Sequence, residues 1–204
     1  PFGIVLVHNG NLTNAHALKG ELFSADHRHI NTESDSEVLL NVLAHEIDKA
    51  TRGLALKPDD VFEAVRRVHR RIQGSYAVIS MIAGHGLLAF RDPFGIRPLC
   101  IGRGADGTYM VASESVALEG TGHVFERDIA PGEMVVISGE GVQSHKPFSV
   151  TASRFCIFEY IYFARPDSVI EGNSVYDLRK GFGKILAQKL KTQNIQIDVV
   201  VPVP

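Results

Sequence analysis

The chain has 204 residues, with 21 basic against 23 acidic side chains and a formal net charge of −2, which excludes the strongly basic surface of a typical nucleic-acid binder. Apolar residues make up 45% of it; at this length that buries roughly 70% of the unfolded surface and excludes a disordered chain. No apolar run nears the roughly 18 residues of a membrane span, no leader pattern is recognised, and Cys100 and Cys156 are too few for a disulfide framework. With no metal-ligand spacing among its nine histidines, the sequence predicts no bound metal, no membrane or nucleic-acid partner, and a reducing, cytoplasmic setting.

In chain order, residues 2–7 read as an apolar strand. The turn-rich His8-Asn9-Gly10-Asn11-Leu12-Thr13-Asn14 follows, and then a helix over about residues 14–23. Ser34-Asp35-Ser36-Glu37 matches a capping box ahead of Val38, Leu39, Val42, Leu43 and Ile47, which share one helical face. A further amphipathic helix is expected over about 59–72, with Val61, Phe62, Val65, Val68 and Ile72 inward, acids at its start and arginines at its end. From Gly74 onward the texture becomes strand-like: residues 76–83, 86–91, 98–102, 108–113 and 133–138, spaced for an antiparallel sheet. Beyond Pro147 come an aromatic run over 155–163, a helix over about 174–191 and a terminal strand over 199–204. The pattern is α+β, with layered elements and no Rossmann alternation. Both ends run in strand-like sequence, so the chain reads as an internal piece of a longer protein.

Two places carry candidate chemistry. An Asn9 side-chain amide beside the Gly10 backbone N–H offers two donors to one point, which suits an oxyanion; Asn-Gly is also the commonest tight-turn dipeptide. Asp35, in the first turn of a helix, is held ionised by the helix N-terminus and suits a ligand ammonium group; plain capping is its simpler use. Arg66, Arg67, Arg70 and Arg71 read as a solvated helix face, and Gly102-Arg103-Gly104 as a hairpin turn. Ser113-Glu114-Ser115 reads as a cap of a short helix, Cys100 as core, and Cys156 as core or as one ligand of a cluster whose other ligands lie outside these residues.

Together the segments resemble the glutamine phosphoribosylpyrophosphate amidotransferase (amidophosphoribosyltransferase) family. The likeness covers essentially the whole chain. It is carried by the stretch from His8 to Asn14, by Ser34-Asp35-Ser36-Glu37, by Phe90-Arg91-Asp92-Pro93-Phe94-Gly95-Ile96-Arg97-Pro98-Leu99, by Val111-Ala112-Ser113-Glu114-Ser115 and by Phe158-Glu159-Tyr160-Ile161-Tyr162-Phe163-Ala164-Arg165-Pro166-Asp167-Ser168. The first two motifs are shared with other glutamine amidotransferases that use an N-terminal nucleophile; the last is specific to the phosphoribosyl family.

The resemblance implies that residues 1–150 are an N-terminally truncated glutaminase domain, an incomplete αββα sandwich of the N-terminal-nucleophile type. Residues 151–204 would then open an α/β type I phosphoribosyltransferase domain. It implies transfer of the glutamine amide nitrogen to phosphoribosylpyrophosphate, the first step of purine synthesis, by a homo-oligomeric parent enzyme. Asn9 and Gly10 would form the oxyanion hole, Asp35 would bind the α-ammonium of glutamine, and Tyr162 would flank the ammonia route. The family's nucleophilic cysteine is absent, since the chain begins with Pro1, so this piece alone is expected to be inactive. Mg2+ would belong to the phosphoribosyltransferase site beyond Pro204, and the family has members with and without an iron–sulfur cluster. An amidotransferase of the glucosamine-6-phosphate synthase type shares the first two motifs, and a non-catalytic relative would share the scaffold.

Overall fold

The computed structural model describes residues 2–51, 55–148, 152–193 and 195–201. Strand β1 (Ile4–Leu12) leads into helices α1 (Ala15–Ser24), α2 (Asp35–Ala50) and α3 (Pro58–Arg71). Then come β2 (Gly74–Ile82), β3 (Gly86–Arg91), β4 (Cys100–Gly104), β5 (Tyr109–Ala112), the short α4 (Ser115–Glu119), β6 (His123–Asp128), β7 (Met134–Ser138) and β8 (Gly141–His145). A single π-helical turn (Glu159–Phe163), a two-residue ladder of β9 (Val169–Ile170) with β10 (Asn173–Ser174), and α5 (Val175–Thr192) complete the described elements.

All strand pairs are antiparallel, in a five-stranded sheet ordered β1-β2-β3-β7-β8 and a three-stranded sheet ordered β5-β4-β6. The period-2 alternation of each strand decides the layering. On β2, Tyr76, Val78 and Ile82 face Leu39, Leu43, Val65 and Val68 of the helices, while Ala77 faces Ile101, Val111 and Ile129 on the side of the second sheet. On β4, Ile101 turns toward the first sheet and Cys100 turns the other way, against Leu118 of α4. The result is helices, sheet, sheet and a short helix, the αββα order, with the outermost layer represented among the described residues by α4 alone.

Several local expectations change. Asn9-Gly10 is no turn: β1 continues through it, with Asn9 opposite Ala77 and Gly10 opposite Tyr76. Strands β6 and β8 were not expected; His123–Asp128 and Gly141–His145 carry too many polar residues for an apolar-run reading. Gly102 and Arg103 lie within β4, and the hairpin turn falls after Gly104. The capping box does not close, because Ser34 Oγ accepts from Ser36 N–H and Glu37 instead takes the backbone N–H groups of Asn31 and Thr32, both at 2.8 Å. Nor does Ser113-Glu114-Ser115 cap α4 through a side chain. Arg71 is no solvated residue: its guanidinium meets Glu21, Asp26 and Glu46, each at 2.8 Å. Val199, Val200 and Val201 form no strand, and residues 202–204 lie outside the described ones, as do Pro1 and the expected boundary at 149–151.

Helix α3 seals the first layer with an unusual core group. His69 sits against the rings of Tyr76, Phe90 and Phe148, with Nδ1 2.6 Å from the Tyr76 hydroxyl oxygen. Burial pulls its pKa down to about 4. The folded protein therefore refuses a proton that the unfolded chain accepts below about 6.5, so this contribution is complete above that pH and is lost as pH falls toward 4. In urea unfolding of His69→Gln, the stability gap to the unsubstituted protein should narrow between pH 7 and pH 4.5; a gap that stays constant contradicts the assignment.

Candidate active site

The site grows from the way β1 meets β2. Gly10 has φ +146°, and a Cβ placed there would lie 2.1 Å from the Ser75 carbonyl oxygen and 2.9 Å from His8 Nε2. Only glycine lets the two strands close at this point. One residue earlier, Asn9 is half-buried, and among the described residues its side-chain amide has no hydrogen-bond partner. Asn9 lines a cleft of about 180 Å3 between the sheets with Val7, His8, Ala77, Ile79, Leu99 and Ser113. A larger open groove, about 520 Å3, lies at Met81, Leu87, Ile137 and their neighbours, with His85 its one ionisable lining residue.

Asp35 is brought to the same strand from the opposite direction. It is the first residue of the 16-residue α2, where the unpaired N–H groups of the helix start favour a carboxylate. Its Oδ2 accepts the Leu12 backbone N–H at 2.9 Å, which ties the helix start to the end of β1. The side chain keeps 23% of its surface exposed, so a ligand cation can still reach it. The simple capping use does not describe this residue: the cap is Ser34, and the carboxylate reaches across to another element.

His8 links the two halves, and sequence reasoning gave it no role. Its side chain is 1% exposed, with Nδ1 3.4 Å from Ser36 Oγ and 3.9 Å from Asp35 Oδ1, and Nε2 3.4 Å from the Ser75 carbonyl. The available signal was its place immediately before Asn9, on the opposite face of the strand.

Tyr162 is elsewhere. It lies on the π-helical turn, 66% exposed, with its ring 5.9 Å from that of Phe163. One buried carboxylate holds that region to the sandwich directly, and a second orders the loop whose Phe94 and Ile96 carbonyls accept the Arg154 and Cys156 N–H groups. Asp92 accepts backbone N–H groups of Tyr76, Phe94 and Ile96 at 3.3, 2.9 and 3.0 Å, and Glu159 accepts Arg97 at 2.7 Å. Glu114, which immediately follows the cleft-lining Ser113, accepts the Arg165 N–H at 2.8 Å and the Ser168 hydroxyl at 2.6 Å.

No thiol serves the cleft among the described residues. Cys100 points its Sγ–H at the Ala112 carbonyl, 3.3 Å away, and burial first, then the Asp128 charge, push its pKa up to about 12, far from a reactive thiolate. Cys156 sits in the 152–158 segment, with its backbone N–H on the Ile96 carbonyl at 3.0 Å. No group of three or more His, Cys, Asp or Glu among the described residues is arranged to hold a metal ion. Among the described residues no cysteine or carboxylate cluster is gathered that would hold an iron–sulfur cluster. No described helix is long and apolar enough to cross a membrane.

The family model for a glutamine amidotransferase domain matches residues 2–120. The chain belongs to that family. It is 50% identical over its whole length to the amidophosphoribosyltransferase of Escherichia coli and 45% identical to that of Saccharomyces cerevisiae, in each case spanning 42% of the relative's length. The solved glutamine phosphoribosylpyrophosphate amidotransferase of B. subtilis, complexed with ADP and GMP, superposes with a TM-score of 0.76 at 39% identity, covering 91% of this chain and 38% of that one. A structure described as the allosteric regulatory enzyme of purine biosynthesis gives 0.77 at 39% identity, covering 91% and 37%.

The Gly10 contact generates a direct test. Gly10→Ala should cost about 3 kcal/mol or more by forcing β1 from β2, whereas Gly20→Ala, in open space on α1, should be neutral or stabilise by up to about 1 kcal/mol. Chemical unfolding measures both. Equal midpoints for the two variants would remove the close-approach argument.

Proposed function

We propose that this chain supplies the glutamine-binding and oxyanion-stabilising part of an enzyme that transfers the amide nitrogen of glutamine to phosphoribosylpyrophosphate, giving phosphoribosylamine, glutamate and pyrophosphate. The observation that carries the reading is the convergence of Asn9-Gly10 and Asp35 on one strand, joined by buried His8. Identity over the whole of this chain to amidophosphoribosyltransferases, of which it spans 42%, supports the acceptor. In the same reading residues 1–150 are the glutaminase unit and 151–204 the opening of the phosphoribosyltransferase unit.

Asp35 takes the α-ammonium of glutamine, which places the side-chain amide over the cleft at Asn9. A cysteine thiolate from outside these 204 residues adds to the amide carbon, and the carbonyl π electrons move onto oxygen. Asn9 Nδ2 and the Gly10 N–H stabilise that oxyanion in a partly dry cleft, where preorganised donors act most strongly. Collapse breaks the C–N bond and releases ammonia, the nitrogen taking a proton; water then hydrolyses the thioester to glutamate and frees the thiol. Tyr162 belongs to the wall of the passage by which ammonia reaches the acceptor.

Two substitutions in the full-length enzyme separate the roles. Asp35→Asn keeps an acceptor for the Leu12 N–H but loses the charge, so KM for glutamine should rise about 10- to 100-fold while synthesis from added ammonia stays near normal. Asn9→Ala should lower kcat for glutamine hydrolysis by ~10²–10³. Equal loss of glutamine- and ammonia-driven synthesis in Asp35→Asn would show a scaffold role only, and normal turnover in Asn9→Ala would remove the oxyanion assignment.

A further inference from the structure

The π-helical turn Glu159–Phe163 is held by two arginines from different parts of the fold. A π turn closes its backbone from residue i to i+5, here Ala164 N–H on the Glu159 carbonyl at 2.9 Å. Such turns are uncommon and gather at functional sites. The extra residue per turn misaligns neighbouring backbone groups, and two carbonyls here are taken up from outside. Arg179 of α5 donates Nε to the Tyr160 carbonyl and Nη2 to the Ala164 carbonyl, both at 2.7 Å. From the opposite side Arg97, in the β3–β4 connection, donates Nη1 to the buried Glu159 carboxylate at 2.7 Å and lays its guanidinium over the Phe163 ring, 5.0 Å from the centroid. The first and last residues of the turn are thus held by one side chain.

The inward face is equally determined. Tyr160 and Ala164 pack with Ile170 and Val175, and the Tyr160 hydroxyl donates to the Ile170 carbonyl at 3.1 Å. With both ends and the inner face held, the rotational phase of the intervening residues is set, and Ile161, Tyr162 and Phe163 point outward. Relaxing the turn to an α-helical one would change the angular step between successive residues and rotate Tyr162 about the turn axis relative to Glu159.

We propose that Arg97 and Arg179 are positioning residues for nitrogen transfer: they hold the π turn so that Tyr162 stands in the ammonia wall, without touching glutamine or the acceptor. This rests on the function proposed above. Loss of either clamp leaves both half-reactions intact and lets ammonia escape between them.

The test uses the full-length enzyme and three readouts: glutamate formed from glutamine, pyrophosphate released with glutamine, and pyrophosphate released with added ammonia. The unsubstituted enzyme should form glutamate and pyrophosphate in equal amounts; if it releases no pyrophosphate with glutamine, the functional reading itself fails. Given that coupling, Arg97→Ala and Arg179→Ala should keep glutamate formation and ammonia-driven synthesis within about twofold, while glutamate per pyrophosphate rises several-fold. Arg97→Lys, retaining charge for Glu159, should recover part of the coupling. Glu159→Gln gives a milder version of the same change should Arg97→Ala fail to fold. A ratio that stays at one in the folded variants overturns the proposal, as does a parallel fall of all three readouts.

Discussion

The close approach of β1 and β2 at Gly10 is the constraint from which the rest of the site follows. A side chain there would meet the Ser75 carbonyl at 2.1 Å, so the absence of a Cβ lets the ladder run unbroken from Ile4 to Leu12. Because the strand continues, its alternation continues, and His8 turns toward the helices while Asn9 turns to the cleft between the sheets. The strand end then offers the Leu12 N–H to Asp35. One glycine thus aligns an amide donor on one face with a carboxylate anchored from the other.

A second consequence runs toward the later part of the chain. Gly10 lies opposite Tyr76, and Tyr76 gives its N–H to the buried carboxylate of Asp92. Asp92 also gathers the N–H groups of Phe94 and Ile96, whose loop leads to Arg97. Burial raises the pKa of Asp92 and these three backbone donors oppose it, which is how a carboxylate at 0% exposure is tolerated. Neighbouring Arg91, equally buried, donates to the carbonyls of Arg97, Ile129 and Gly95 and to the Glu171 carboxylate at 2.6 Å. The segment beyond residue 152 is therefore seated by charged groups already satisfied within the sandwich.

Much of this was legible in the sequence. Helices α2 and α3 follow from apolar periodicity because one face of each packs on the sheet, and strands β2, β3 and β7 from apolar runs because both their faces are buried, one under the helices and one against the second sheet. Periodicity failed where packing is lighter: β6 and β8 pair through their backbones while leaving Val124, Glu126, Ser144 and His145 exposed. The motif residues were findable as motifs, but their local readings were misleading. Asn-Gly reads as a turn, since dipeptide preference does not see a pairing partner 66 residues away; Ser34 to Glu37 reads as a closed capping box, since local spacing does not see that Asn31 and Thr32 compete for Glu37. His8 was missed because a lone histidine in an apolar strand carries no pattern, and its meaning appears only when Ser36 and Asp35 are brought beside it. Arg97, Arg179 and Glu159 were hidden for the same reason: their partners are 15 to 66 residues distant.

The central proposal is that β1, with the start of α2 tied to its end, offers one glutamine molecule an ammonium site at Asp35 and an oxyanion site at Asn9-Gly10 at once. A structure of the full-length protein with a glutamine-derived inhibitor bound as its tetrahedral adduct tests this most directly. The ligand ammonium should lie within hydrogen-bond distance of Asp35, and the adduct oxygen within about 3.1 Å of both Asn9 Nδ2 and the Gly10 nitrogen. A ligand seated with its oxygen turned away from that pair, or its ammonium held by a different carboxylate, would contradict the account.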